Sequence, residues 1–93
     1  MFQSGPEMLR AIEARRDRVV LMWIPARSSN PIQRYEIYRG DTPQSFMPIG
    51  QTSMGNFTDN TVSPGRMYHY YVVAVDSMGL QAASGAISVS VPF

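Results

Sequence analysis

The stretch MYHYYVVAVD, residues 67–76, constrains the fold of this chain more than any other. Its side chains alternate with a period of two: Tyr68, Tyr70, Val72 and Ala74 share one face, while His69, Tyr71, Val73 and Val75 share the other. β-Branched and aromatic residues dominate, which predicts a strand. The closing segment AISVSVPF repeats the pattern, with Ile87, Val89 and Val91 inward and Ser88 and Ser90 outward. In IQRYEIYR, Tyr35 and Ile37 point inward and Arg34, Glu36 and Tyr38 outward. Turn-rich clusters at 26–31, 40–44, 59–65 and 76–85 separate these runs. Short strands at such intervals, without heptads or a long helical pattern, predict an all-β antiparallel sandwich.

A chain of 93 residues forms one domain with a single modest core. With no cysteine there is no disulfide framework, thiol nucleophile or thiolate metal site. The net charge of +1 gives no global field to attract nucleic acid or an anionic membrane, and no apolar run approaches the ~20 residues that would insert into a bilayer. The domain is expected to span residues 6–93, behind a disordered or added leader at 1–5 that fits no element.

The segment SGPEMLRAIEARRDR carries conflicting signals. Ser4 and Glu7 form a capping-box pattern, Pro6 suits a helix start, and Met8, Leu9 and Ile12 have helical spacing. Tertiary pairing overrides such local preference. We therefore assign a strand, with an irregularity near Ala11 and Ile12.

The order of several linked motifs resembles a fibronectin type III domain of bacterial type, over about residues 6–92. The motifs are Leu9 and Ala11 in PEMLRA, the alternation Val19-x-Leu21-x-Trp23 followed by Pro25-Ala26, YEIYRG, IGQT, FTDNTV and PGRMYHYYVVAVDSMGL. The resemblance implies a seven-stranded antiparallel immunoglobulin-like sandwich, with Trp23 in the core and Tyr68 bonding its hydroxyl to backbone in the preceding loop. Inward parity independently assigns Val19, Leu21, Trp23, Tyr35, Ile37, Phe57, Val62, Tyr68, Tyr70, Val72, Ile87 and Val89 to the core.

Nothing in the sequence forms a catalytic constellation, so no catalytic residue, metal ligand or cofactor is assigned. His69 is the only histidine and falls on outward parity. The seven carboxylates show no glycosidase spacing, and Ser84 has neither a nucleophile-elbow context nor a partner histidine. Asp59 and Asp76 suit turn organisation.

Three candidate surfaces remain. Arg34, Glu36, Tyr38, His69 and Tyr71 form an outer face suited to protein or glycan contact, although cross-strand aromatic pairs also stabilise a sheet by themselves. Val20, Met22 and Ile24 make the outward side of the second main strand apolar too, which predicts a packing interface with a neighbouring domain, the N-terminal segment or a second copy. Arg39-Gly40-Asp41 matches the tripeptide read by adhesion receptors, but three residues match by accident often, and here they sit where a strand should end in a turn. The expected function is a noncatalytic spacer and protein-interaction module of a larger secreted or cell-surface protein. The alternative is an adhesion-receptor ligand through Arg39-Gly40-Asp41.

Overall fold

The computed structural model describes residues 1–93, and every regular element is a strand. In chain order these are β1 (Phe2–Ser4), β2 (Glu7–Arg15), β3 (Arg18–Ile24), β4 (Arg27–Ser28), β5 (Ile32–Thr42), β6 (Ser45–Thr52), β7 (Asn56–Asp59), β8 (Met67–Asp76), β9 (Gln81–Ala83) and β10 (Ile87–Ser90). Eight of them build the sandwich, with β9 and β10 sharing one edge of β8. One sheet has the order β2-β3-β7 and the other β10-β8-β5-β6, with β9 also on β8; all pairings are antiparallel.

The capping-box segment is indeed a strand, because β3 supplies the ladder that its helix-forming residues cannot outweigh. Its pairing is irregular in two places, between Glu7 and Arg10 and between Ala11 and Glu13. At the first, Met8 has a φ of 52°, the left-handed conformation usually left to glycine.

Residues 1–5 do not lie outside the fold. β1 pairs with β4, the Ser29 N–H donates to the Met1 carbonyl at 3.0 Å, and Phe2 packs against the core. Burying Phe2 favours order in a segment whose sequence shows no periodicity.

Core and parity correspond closely. Val19, Leu21, Trp23, Tyr35, Ile37, Val62, Tyr68, Tyr70, Val72 and Val89 are buried, and Leu9, Ala26, Ala74 and Val91 join them. Phe57 and Ile87, also expected inside, are only partly buried at the margin. Val73 and Val75 are buried although they lie on the opposite side of β8. Here β8 is flanked by β5 on one side and β9 on the other. Trp23 packs edge-to-face on Tyr35 at 5.3 Å, and the Tyr35 hydroxyl accepts from the Ala26 N–H at 3.0 Å.

The rim of the larger sheet is broken at Ser84. Its N–H donates to the Val72 carbonyl at 2.8 Å, while its hydroxyl accepts from the Val72 N–H at 2.9 Å in place of a ladder carbonyl. Between β9 and β10 the edge therefore bends without leaving Val72 unpaired.

Candidate functional site

On the outer face of the larger sheet, Tyr38 and Tyr71 stand opposite each other on β5 and β8. Their rings are parallel, with centroids 4.8 Å apart, so each covers one face of the other. Phe46 of β6 meets Tyr71 edge-to-face at 4.8 Å.

Glu36 organises the polar flank. Its carboxylate accepts from Arg34 Nε at 3.0 Å and from the Tyr38 hydroxyl at 3.5 Å. Burial first, and then the neighbouring Glu36 charge, raise the Tyr38 phenol above its usual pKa. On the other flank His69 Nδ1 lies 2.9 Å from Ser88 Oγ. The face thus brings together Arg34, Glu36, Tyr38, Tyr71 and His69, and adds Phe46 and Ser88. Phe46 was missed because SFMPIGQT contains Pro48 and lacks clean alternation; only its position six residues beyond Gly40 hinted at a strand partner.

Arg39-Gly40-Asp41 has a different place from the one its sequence suggests. It does not end a strand, since β5 runs through it to pair Thr42 with Ser45, and the turn falls at residues 43–44. The Arg39 guanidinium turns inward: Nη1 donates to Asp59 Oδ2 at 3.0 Å and to Thr61 Oγ1 at 2.7 Å, and Cζ sits 4.8 Å above the Tyr68 ring. At Gly40 a Cβ would run into the Ser45 and Thr42 carbonyl oxygens. Only Asp41 is exposed. A shallow depression of about 510 Å³ borders the tripeptide, lined also by Thr42, Ser45, Met47, Pro48 and Ile49.

Asp59 is the hub behind this arrangement and only 2% exposed. Besides Arg39, it accepts from the Tyr70 hydroxyl at 2.7 Å, the Thr61 hydroxyl at 2.6 Å and the Thr61 N–H at 3.0 Å. Burial alone would raise its pKa, but the bonds from Thr61, Tyr70 and Arg39 outweigh it and leave the carboxyl below its usual range. Tyr70 shifts oppositely: burial and the bond to Asp59 push its phenol strongly upward.

Asp76 has the matching role at the other end. Its carboxylate accepts from the Met78 and Leu80 N–H groups at 2.9 and 3.0 Å, from Asn30 Nδ2 at 3.2 Å and from Ser28 Oγ at 3.3 Å. Burial opposes ionisation, yet the bonds from Asn30, Leu80, Met78 and Ser28 lower its pKa. The Tyr68 hydroxyl accepts from the Ser63 N–H in the preceding loop at 2.8 Å.

The third candidate surface is the outer face of the smaller sheet. Val20, Met22 and Ile24 alternate with the buried Val19, Leu21 and Trp23, and Ile24 is 43% exposed. Their in-register neighbours are Glu7, Arg10 and Glu13 on β2 and Asn56 and Thr58 on β7.

The profile of the fibronectin type III domain matches residues 4–90. The chain is 36% identical over 73 residues to an amylopullulanase of Thermoanaerobacter thermohydrosulfuricus, a match covering 75% of this chain and 5% of that protein. It is 31% identical over 90 residues to exoglucanase B of Cellulomonas fimi, covering 94% of this chain and 8% of that one. In structure it resembles an Fn3-like protein from Clostridium thermocellum, with a TM-score of 0.78, 24% identity, and 97% and 94% of the two chains covered. The chain therefore spans less than a tenth of either curated relative.

Proposed function

Because this chain belongs to the fibronectin type III family, we propose that it is a noncatalytic module of a larger bacterial protein at the cell surface or outside the cell, where it acts as a spacer and protein-interaction unit. The observation that carries this reading is the match over 94% of the chain to 8% of a named glucanase: a whole sandwich corresponds to one small part of a much longer protein. Whether the module serves an enzyme's substrate is a separate question, because fold does not imply function.

Within this reading the face around Tyr38 and Tyr71 is the interaction surface. Each ring gives one face to the other, and the pair presents its edges and hydroxyls beside the flanking Arg34, Glu36 and His69. Such a mixture of aromatic area and polar tips suits a protein surface. The adhesion reading has less support, since Arg39 is engaged by Asp59 and Thr61.

Two measurements test this. The chain alone should not hydrolyse soluble starch or cellulose, and turnover that survives purification would overturn the noncatalytic reading. Amide resonances of Tyr38, His69 and Tyr71 should stay fixed when maltohexaose or cellohexaose is added; saturable shifts confined to these residues would reassign the face to glycan.

A further inference from the structure

On the outer side of the smaller sheet β3 carries an apolar row, half-buried at Val20 and Met22 and exposed at Ile24, between the polar flanks of β2 and β7. Val20, Met22 and Ile24 form an outward row, Ile12 is 53% exposed at the bulge beside Leu21, and Met8 is 68% exposed on the same edge strand. Sheets with one wet face ordinarily alternate apolar and polar residues, and continuous apolar strands belong to sheets covered twice. Met8 adds an independent sign: a non-glycine residue held at a φ of 52° keeps an apolar side chain in water at the cost of backbone strain.

The size of the face decides which occupant fits. A strand of seven residues is about 23 Å long and three strands are roughly 14 Å wide, giving at most about 330 Å² of sheet surface. A stable association between free molecules buries about 800 Å² on each partner, so a second copy would be held too weakly. Contacts between domains of one chain begin at roughly 600 Å² in total, which is what two such faces provide. A linker also raises the effective concentration of the partner to about the millimolar range. The rim of Glu7, Arg10 and Glu13 carries both signs and so favours no strongly charged partner.

We propose that Val20, Met22 and Ile24, with Ile12 and Met8 at the margin, dock against an apolar surface of an adjoining domain in the same polypeptide. This rests on the reading of the chain as a module of a longer protein. It leaves the Tyr38–Tyr71 face, on the opposite sheet, free for other partners.

Methionine oxidation reads the contact without any mutation. The native full-length polypeptide and the 93-residue module, whose core is complete within itself, are treated with dilute hydrogen peroxide, and sulfoxide is followed at each methionine by mass spectrometry. Met8 and Met22 should oxidise roughly tenfold more slowly in the full-length protein, as expected if the contact opens about a tenth of the time. Met47 and Met78, exposed elsewhere, serve as references for general shielding. Equal rates at Met8 and Met22 in the two samples overturn the proposal. So does protection that grows with concentration in the module alone, which would identify a second copy as the occupant. Neither result bears on hydrolysis or on the Tyr38–Tyr71 face, so the module reading stands or falls separately.

Discussion

The hydroxyl of Tyr70 in β8 donates to Asp59 Oδ2 in β7 at 2.7 Å, a side-chain hydrogen bond that runs from one sheet to the other. Asp59 holds Arg39 of β5 with the same oxygen. Removing the carboxylate leaves a guanidinium and two hydroxyls without their common acceptor. Asp59→Ala should cost about 3–5 kcal/mol, because one partner of a buried charge pair is lost. Tyr70→Phe should cost about 1.5–3 kcal/mol, as for a hydrogen bond to a charged group. Urea titrations with unchanged slope would check both.

The depressed carboxyls of Asp59 and Asp76 make the fold acid-sensitive. A group whose folded pKa lies below its unfolded value contributes stability above the unfolded value, and that contribution disappears as pH falls through the folded one. Stability should therefore hold from neutral pH to about 4 and then decline. Tyr70 acts at the other extreme. Its phenol is raised, so its contribution is complete below about pH 10 and is lost as pH rises beyond it. In a melting-temperature profile against pH, Asp59→Asn should flatten the acid limb and Tyr70→Phe the alkaline one.

Trp23 is buried, and its indole Nε1 has no hydrogen-bond partner. Trp23→Ala should cost about 3–5 kcal/mol through the cavity it opens. Trp23→Phe should cost less than half as much, since no hydrogen bond is broken. Equal losses in chemical denaturation would show that the N–H has a role of its own.

Arg39-Gly40-Asp41 should behave as a structural element. Asp41→Glu is expected to leave cell adhesion on module-coated plates unchanged, whereas Gly40→Ala should lower the melting temperature by forcing a Cβ against the Ser45 carbonyl. Adhesion lost in Asp41→Glu with melting unchanged would restore the receptor reading.

Met8→Gly should stabilise the chain. Left-handed backbone costs a non-glycine residue roughly 1–2 kcal/mol, and part of that gain is returned as glycine entropy in the unfolded state. A net gain of about 0.5–1 kcal/mol should raise the melting temperature by a few degrees.

The sandwich was legible because strand periodicity is local. Alternation at residues 67–76 places Tyr68, Tyr70 and Val72 inside, and the same parity puts Tyr38 and Tyr71 together outside. The Asp59 hub was not legible, because its partners Arg39, Thr61 and Tyr70 meet only after both sheets have formed. Nor were the burial of Val73 and Val75, which depends on strands flanking β8 on both sides, and the left-handed Met8, which follows no residue preference.

The hydroxyl of Ser84 that replaces a carbonyl in the ladder of β8 also matters to molecules outside this one. It interrupts the rim of its sheet just where an unbroken row of amides would invite a stranger's strand. Pro48 in the outermost strand on the far side, and the two bulges of β2, spoil other borders in the same manner. Where such units are crowded together, each of these interruptions works against one sheet adding itself to the next.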